Sequence, residues 1–229
     1  MIPSEARVAL AVRVASDHLH TALGRWVDRE PTVECFVMAL SVDELREKVL
    51  ALRERGLNDM QIADELSISA MTVEWLQGTS ASEGKPEDIR IGWRTIGVRP
   101  QRIDAISMIL ADILDEAVPE GIDKVVGISL NGILFAHSLA EQLGADVAIY
   151  RSAVNGPGGA LSEKYANVAG RRIVIVDDLL STGETMRGVI ESMQSEGADV
   201  ALCMVLVNKT EKNEIAGVPL RGIIRAVSV

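Results

Sequence analysis

Two hydrophobic rhythms divide this chain. Between residues 41 and 77, apolar side chains return every third or fourth position, beginning with Val42, Leu45, Val49 and Leu52. That spacing lines one face of a helix. It predicts three short helices, the later two over about Asp59–Leu66 and Ala70–Gln77. Ser41, with Glu44 three residues on, is the pattern in which side chains satisfy the free amides of a helix start. Gly56 and Gly78 serve as stops, because glycine tolerates the left-handed turn there.

From Ile89 onward the rhythm changes. β-Branched runs at Lys124–Ser129, Asp146–Tyr150, Arg172–Val176 and Val200–Val207 predict strands. Helical patterns separate them, over about Arg99–Ala117, Gly132–Leu143 and Thr185–Glu196. Such alternation implies an α/β fold, a mostly parallel sheet with helices on both faces, preceded here by a small all-α unit. The polar stretch from Thr79 to Pro86 marks the boundary. The expected organisation is an extension of unclear role over 1–37, a helical domain over 38–78, a linker over 79–88 and an α/β domain over 89–229. Translation from Met38 is a working hypothesis.

Chemistry concentrates where the run Ile173-Val174-Ile175-Val176 meets Asp177-Asp178. The expected strand ends at these acids. The small turn Ser181-Thr182-Gly183 follows, with Glu184 and then a helix from about Thr185. Ligands of parallel sheets bind beyond the carboxyl ends of strands. Amides at a helix start attract a phosphate. Gly183 permits close approach, and Ser181, Thr182 and Thr185 add hydroxyls. Asp177 and Asp178 repel a phosphate and suit ribose hydroxyls, or a Mg²⁺ held near a pyrophosphate. The alternative is a strand, a loop and a capped helix with solvated acids.

This run resembles the phosphoribosyl-pyrophosphate motif of type I phosphoribosyltransferases. The resemblance implies that Asp177 and Asp178 hold ribose hydroxyls while Ser181 through Thr185, Gly183 and Glu184 included, wrap the 5′-phosphate. Upstream, Ser129-Leu130-Asn131-Gly132 looks like the pyrophosphate loop of that family, and Asn155–Gly159 falls where it keeps a mobile catalytic loop. Arg151 matches a cation of the catalytic loop, but Ser152 stands where a lysine is expected, and Ser152–Glu163 holds no Lys, Arg or His. Stabilising the leaving pyrophosphate needs such cations. Ligand binding is therefore expected and transfer chemistry is not, so no catalytic residue is assigned.

The pattern Ile62-Ala63-x-x-Leu66-Ser67-Ile68-Ser69-x-x-Thr72-Val73-x-x-Leu76 fits a helix-turn-helix. Its second helix would offer Ser69, Ala70, Met71, Thr72 and Glu74 to the major groove, with Trp75 packing inward. Segment 41–78 carries four basic and eight acidic residues, a net of −4. Phosphate contacts supply most non-specific DNA affinity, so one copy should bind weakly and a homodimer better. The alternative is a three-helix bundle used for dimerisation. A helix-turn-helix ahead of this α/β domain, with Trp93-Arg94, Ser162, Ala166 and Gly170, resembles the archaeal transcription regulators of sugar metabolism, once labelled orotate-phosphoribosyltransferase-like. That resemblance spans about Ser41 to Val229. It implies DNA and a phosphorylated small-molecule effector as partners.

Composition narrows the remaining choices. Thirty-three acids against 23 bases leave a net charge of −10, which opposes non-specific binding to polyanions. The two cysteines, Cys35 and Cys203, are isolated and read as free buried thiols of a reducing cytoplasm. His18 and His20 have no accompanying ligand set, so no metal site is expected. No run approaches the roughly 18 apolar residues of a membrane helix. Two rivals to a regulator remain: an active orotate or purine phosphoribosyltransferase, and a purely structural dimer.

Overall fold

The computed structural model describes residues 40–78, 84, 86, 88–152 and 159–227. The expected extension over 1–37, with Cys35, His18 and His20, lies outside them. Residues from 39 onward cluster as one compact unit. Three helices come first: α1 (Val42–Glu54), α2 (Asp59–Leu66) and α3 (Ala70–Gln77). Ser41 and Glu44 close a reciprocal capping box on α1, and Asn58 with Gln61 does the same on α2. Gly78 ends α3 in the left-handed conformation. Val49, Leu52, Ile62, Ala63, Leu66, Ile68, Val73 and Leu76 form a separate small core.

The remainder runs α4 (Arg94–Gly97), α5 (Pro100–Ala117), β1 (Lys124–Ile128), α6 (Gly132–Leu143), β2 (Asp146–Ser152), β3 (Gly159–Leu161), β4 (Arg172–Leu180), α7 (Glu184–Ser195), β5 (Asp199–Asn208), β6 (Glu214–Ile215) and β7 (Val218–Arg225). The sheet order is β3-β2-β1-β4-β5-β7-β6, with β3 and β6 antiparallel at the two edges and parallel pairing between.

Strand alternation explains the layers. Ile173, Ile175, Cys203 and Val205 face one side with Met186, Val189, Ile190 and Met193 of α7. Val174, Val176, Leu202 and Met204 face the other with Leu110 and Leu114 of α5 and Phe135 and Leu139 of α6. Each fully buried side chain of this kind contributes roughly 1.5–3 kcal/mol. Among the described residues no helix is long and apolar enough to cross a membrane.

β4 departs from the expected ending at Val176. It continues through both acids to Leu180, because Asp177, Leu179 and Leu180 keep their pairing with Val205, Val207 and Asn208 of β5. Leu179 and Leu180 also pack on opposite faces of the sheet. The acids are thus held by sheet geometry and not by a loose turn. α7 starts one residue early, at Glu184.

Gly132 decides how close α6 comes to β4. A Cβ built there would lie 2.6 Å from the Val176 carbonyl oxygen and 3.1 Å from Asp177 Cα. Gly132→Ala should therefore push the start of α6 away and destabilise the fold by about 1–3 kcal/mol, the usual scale of overpacking. Urea unfolding of the two proteins checks it; equal midpoints would show that the contact yields freely.

Candidate functional site

At the carboxyl edge of the sheet, β4 delivers Asp177 and Asp178 side by side. Asp178 is only 4% exposed. Its Oδ2 accepts a hydrogen bond of 3.1 Å from Asn131 Nδ2, and the Asp177 carboxylate accepts one of 2.9 Å from the Asp178 amide. Burial raises both carboxyls above the ordinary range, and in Asp177 the neighbouring Asp178 charge adds to it. Groups in this condition favour hydroxyl donors or a cation close by.

The turn comes next. Gly183 takes a φ of +87° and caps α7, with Ile215 of β6 packed behind it. Ser181 is half-buried, Gly183 is buried, and Thr182, Glu184 and Thr185 are exposed. The Thr182 hydroxyl accepts from the Glu184 amide at 3.3 Å. Lys212 Nζ donates to the Thr182 carbonyl at 2.8 Å, which brings a cation to the turn.

The β1–α6 loop lies alongside because β1 and β4 are neighbours. Asn131 and Gly132 touch the acid pair directly. Ser129 Oγ accepts from the Ser152 amide at 3.2 Å, the Ser129–Leu130 peptide is cis, and Leu130 is exposed. Arg151 is exposed at the same end of the sheet, on β2. Of the glycine-bearing stretch expected to be a catalytic loop, 153–158 lies outside the described residues, and Gly159 opens β3.

The residues expected to read DNA divide. Met71 is 59% exposed and Glu74 is exposed, while Ala70 is half-buried. Thr72 was expected to be exposed but is only 8% so. Its hydroxyl donates to Asp88 Oδ2 at 2.8 Å, and the Ser69 amide donates to the same oxygen at 2.6 Å. Ser69 Oγ meanwhile caps α3 by accepting from the Thr72 amide. Both hydroxyls are thereby directed within the protein.

Pattern reading missed four residues here. Asp88 pairs with Lys209 Nζ at 2.9 Å, with side chains 9% and 6% exposed. The Lys209 amide donates to the Leu180 carbonyl at 2.8 Å, directly before the turn. Asp64 of α2 comes within 3.5 Å of Asn131 Nδ2. Lys212 is the fourth. The available signal was the run Lys209-Thr210-Glu211-Lys212 after a buried strand, since parallel strands bring their carboxyl ends together. A cavity of about 120 Å³ lies away from the turn, lined by Val42, Leu45, Ile68, Trp75 and others of the three-helix core.

Known proteins match this arrangement. The phosphoribosyl transferase domain model matches residues 92–217. The transcriptional regulator GfcR of Thermoplasma acidophilum is 38% identical over 189 residues, covering 81% of this chain and 96% of that protein. That of Archaeoglobus fulgidus is 37% identical over 194 residues, covering 82% and 98%. The chain belongs to the GfcR family of transcriptional regulators. The shared length exceeds the transferase domain alone, so the GfcR likeness extends beyond the sheet. In fold, the α/β part of this GfcR family member resembles the adenine phosphoribosyltransferase of Thermoanaerobacter pseudethanolicus, with a TM-score of 0.52 and 22% identity over 62% of this chain and 90% of that one. The yeast adenine enzyme, from Saccharomyces cerevisiae, gives 0.52 at 23% identity, over 61% and 89%.

Asp64 provides a test of this geometry. The residue keeps solvent contact, yet its carboxyl is pushed up to about 6, first by packing at the contact, then by the charges of Asp178 and Glu65. An acid whose carboxyl is raised on folding loses stability as pH climbs from its free value near 3.9 to its folded value. Asp64→Asn should thus melt higher than the wild type at pH 8, by about 1–3 °C. The gap should close as pH falls from 6 to 4. Melting curves across that window check it. Asp177 and Asp178 shift in the same direction, and because the Asp64 charge is one of the causes at Asp177, its removal acts in the same sense there.

Proposed function

We propose that this GfcR family member is a DNA-binding transcription regulator of sugar or nucleotide metabolism. Its transferase-like domain binds phosphoribosyl pyrophosphate or a related phosphorylated metabolite. One observation carries the ligand reading: half-buried Asp177 and buried Asp178 stand two residues before a glycine turn at the start of α7, on the carboxyl edge of a parallel sheet. Ribose hydroxyls donate to Asp177 and Asp178. The 5′-phosphate lies against Ser181, Thr182, Gly183, Glu184 and Thr185, with Lys212 offsetting part of its charge. A pyrophosphate reaches Ser129, Leu130, Asn131 and Gly132, near Arg151. A Mg²⁺ travelling with the ligand needs only one or two carboxylates beside phosphate oxygens, which this edge offers.

The DNA reading rests on the three-helix unit and on the relatives, which are named transcriptional regulators. In it, α3 is the recognition helix, with Ser69, Ala70, Met71, Thr72 and Glu74 at or near its reading end. Two copies recover the affinity that an acidic unit lacks. Exposed Met108 and Ile109 on α5 are consistent with a homodimer. A transferase reading draws on the intact phosphate turn, and pyrophosphate release from phosphoribosyl pyrophosphate, Mg²⁺ and a panel of bases would favour it.

The double variant Asp177→Asn with Asp178→Asn should abolish calorimetric binding of phosphoribosyl pyrophosphate. It should keep or raise the melting temperature, because it removes two raised, mutually repelling carboxyls. Unchanged binding would place the ligand elsewhere. Glu74→Lys should strengthen binding to any DNA and steepen its salt dependence by about two charges, as read by DNA retardation at several salt concentrations.

A further inference from the structure

The three-helix unit meets the α/β part at the edge where the ligand is expected. Besides the hydrogen bond that Arg90 Nε donates to the Leu66 carbonyl at 3.2 Å, two contacts join the parts there. In the first, Asp64 of α2 approaches the Asn131 amide, which also donates to Asp178. In the second, Lys209 follows β5, whose last residues pair with Leu179 and Leu180. Its backbone amide holds the Leu180 carbonyl at the head of the phosphate turn. Its Nζ holds Asp88 at 2.9 Å and approaches the Ser67 carbonyl at 3.4 Å. Asp88 in turn takes the Ser69 amide and the Thr72 hydroxyl, both at the start of α3.

We propose that this docking closes the phosphoribosyl site, and that docking and a phosphorylated ligand exclude one another, so that ligand binding releases the start of the recognition helix. The inference rests on the ligand and DNA readings above and adds the sign of the coupling between them.

The physical reasons are three. Phosphate oxygens at the β1–α6 loop would face the Asp64 carboxylate, which lies 3.5 Å from Asn131 Nδ2 and already feels the like charges of Asp178 and Glu65. Like charges at that range repel, and the cheapest relief is to move α2 away. A helix start that has given its donors to a carboxylate also has little left for a DNA phosphate, and Asp88 takes that place on α3. Finally, Lys209 belongs to both sites. A phosphate that draws the turn onto itself shifts the Leu180 carbonyl and with it the base of the Lys209–Asp88 pair, which is buried and intolerant of displacement. A ligand alters an equilibrium only through unequal affinity for its two states, and Asp64 supplies the inequality.

The test follows the Ser69–Thr72 amides by hydrogen exchange in the full chain, with binding heat measured in parallel, using ribose 5-phosphate and Mg²⁺–phosphoribosyl pyrophosphate as probes. In the wild type, ligand should speed exchange at Ser69 at least roughly tenfold, within the usual range of such couplings. Lys209→Met should show fast exchange without ligand and bind it several-fold more tightly. Asp88→Asn, which keeps an acceptor for Ser69 but loses the ion pair, should likewise bind ligand more tightly if Lys209→Met folds poorly. Asp64→Asn should bind ligand with little change in exchange. Heat in the variants but not in the wild type also supports the proposal. Binding heat with unchanged or slowed exchange overturns the coupling and leaves the ligand reading standing. No heat in the wild type and none in either undocked variant removes the ligand reading and the coupling together.

Discussion

Close approach of backbone at Gly132 is the constraint on which the rest depends. With no side chain there, α6 begins against the Val176 carbonyl, and the β1–α6 loop comes to the end of β4. Asn131 then reaches Asp178, and the two segments form one edge. A parallel sheet makes this possible, because neighbouring strands finish on the same side. The same geometry brings Lys209 beside Leu180, since β5 pairs with β4 to its last residue.

Charge gives the edge its character. Three carboxyls, Asp64, Asp177 and Asp178, sit in surroundings that raise each of them. Such an arrangement disfavours the isolated folded state and favours whatever supplies donors or positive charge, which is a common signature of a binding site. Lys209 and Lys212 are each tied to a backbone carbonyl next to or within the glycine turn, by amide or by ammonium. The glycine turn is therefore braced by the segment that follows β5.

GfcR family membership joins a transferase-type sheet to a regulator's name, and the junction between the two parts is where the physical interest lies. A sheet edge that anchors a small helical unit beside the proposed ligand site can transmit occupancy with no long pathway. A single residue, Asp88, separates Lys209 from the start of α3.

Periodicity alone determined the central strands and every helix but α4, because burial on one face of a helix or both faces of a strand leaves a pattern in local sequence. It also located the acid pair and the glycine turn, whose chemistry is contiguous. Four small elements stayed hidden: α4, β3, β6 and β7. The edge strands are short, and β7 alternates buried Val218 and Leu220 with exposed Pro219 and Arg221, a signal lost among polar neighbours. The end of β4 was set too early, because its last four residues are held by pairing with β5 and not by their own composition. Only tertiary structure joined Asp64 to Asn131, Lys209 to Asp88 and Asp88 to Thr72. Those partners lie 16 to 121 residues apart, and no local rule connects charges that meet only after the sheet has closed.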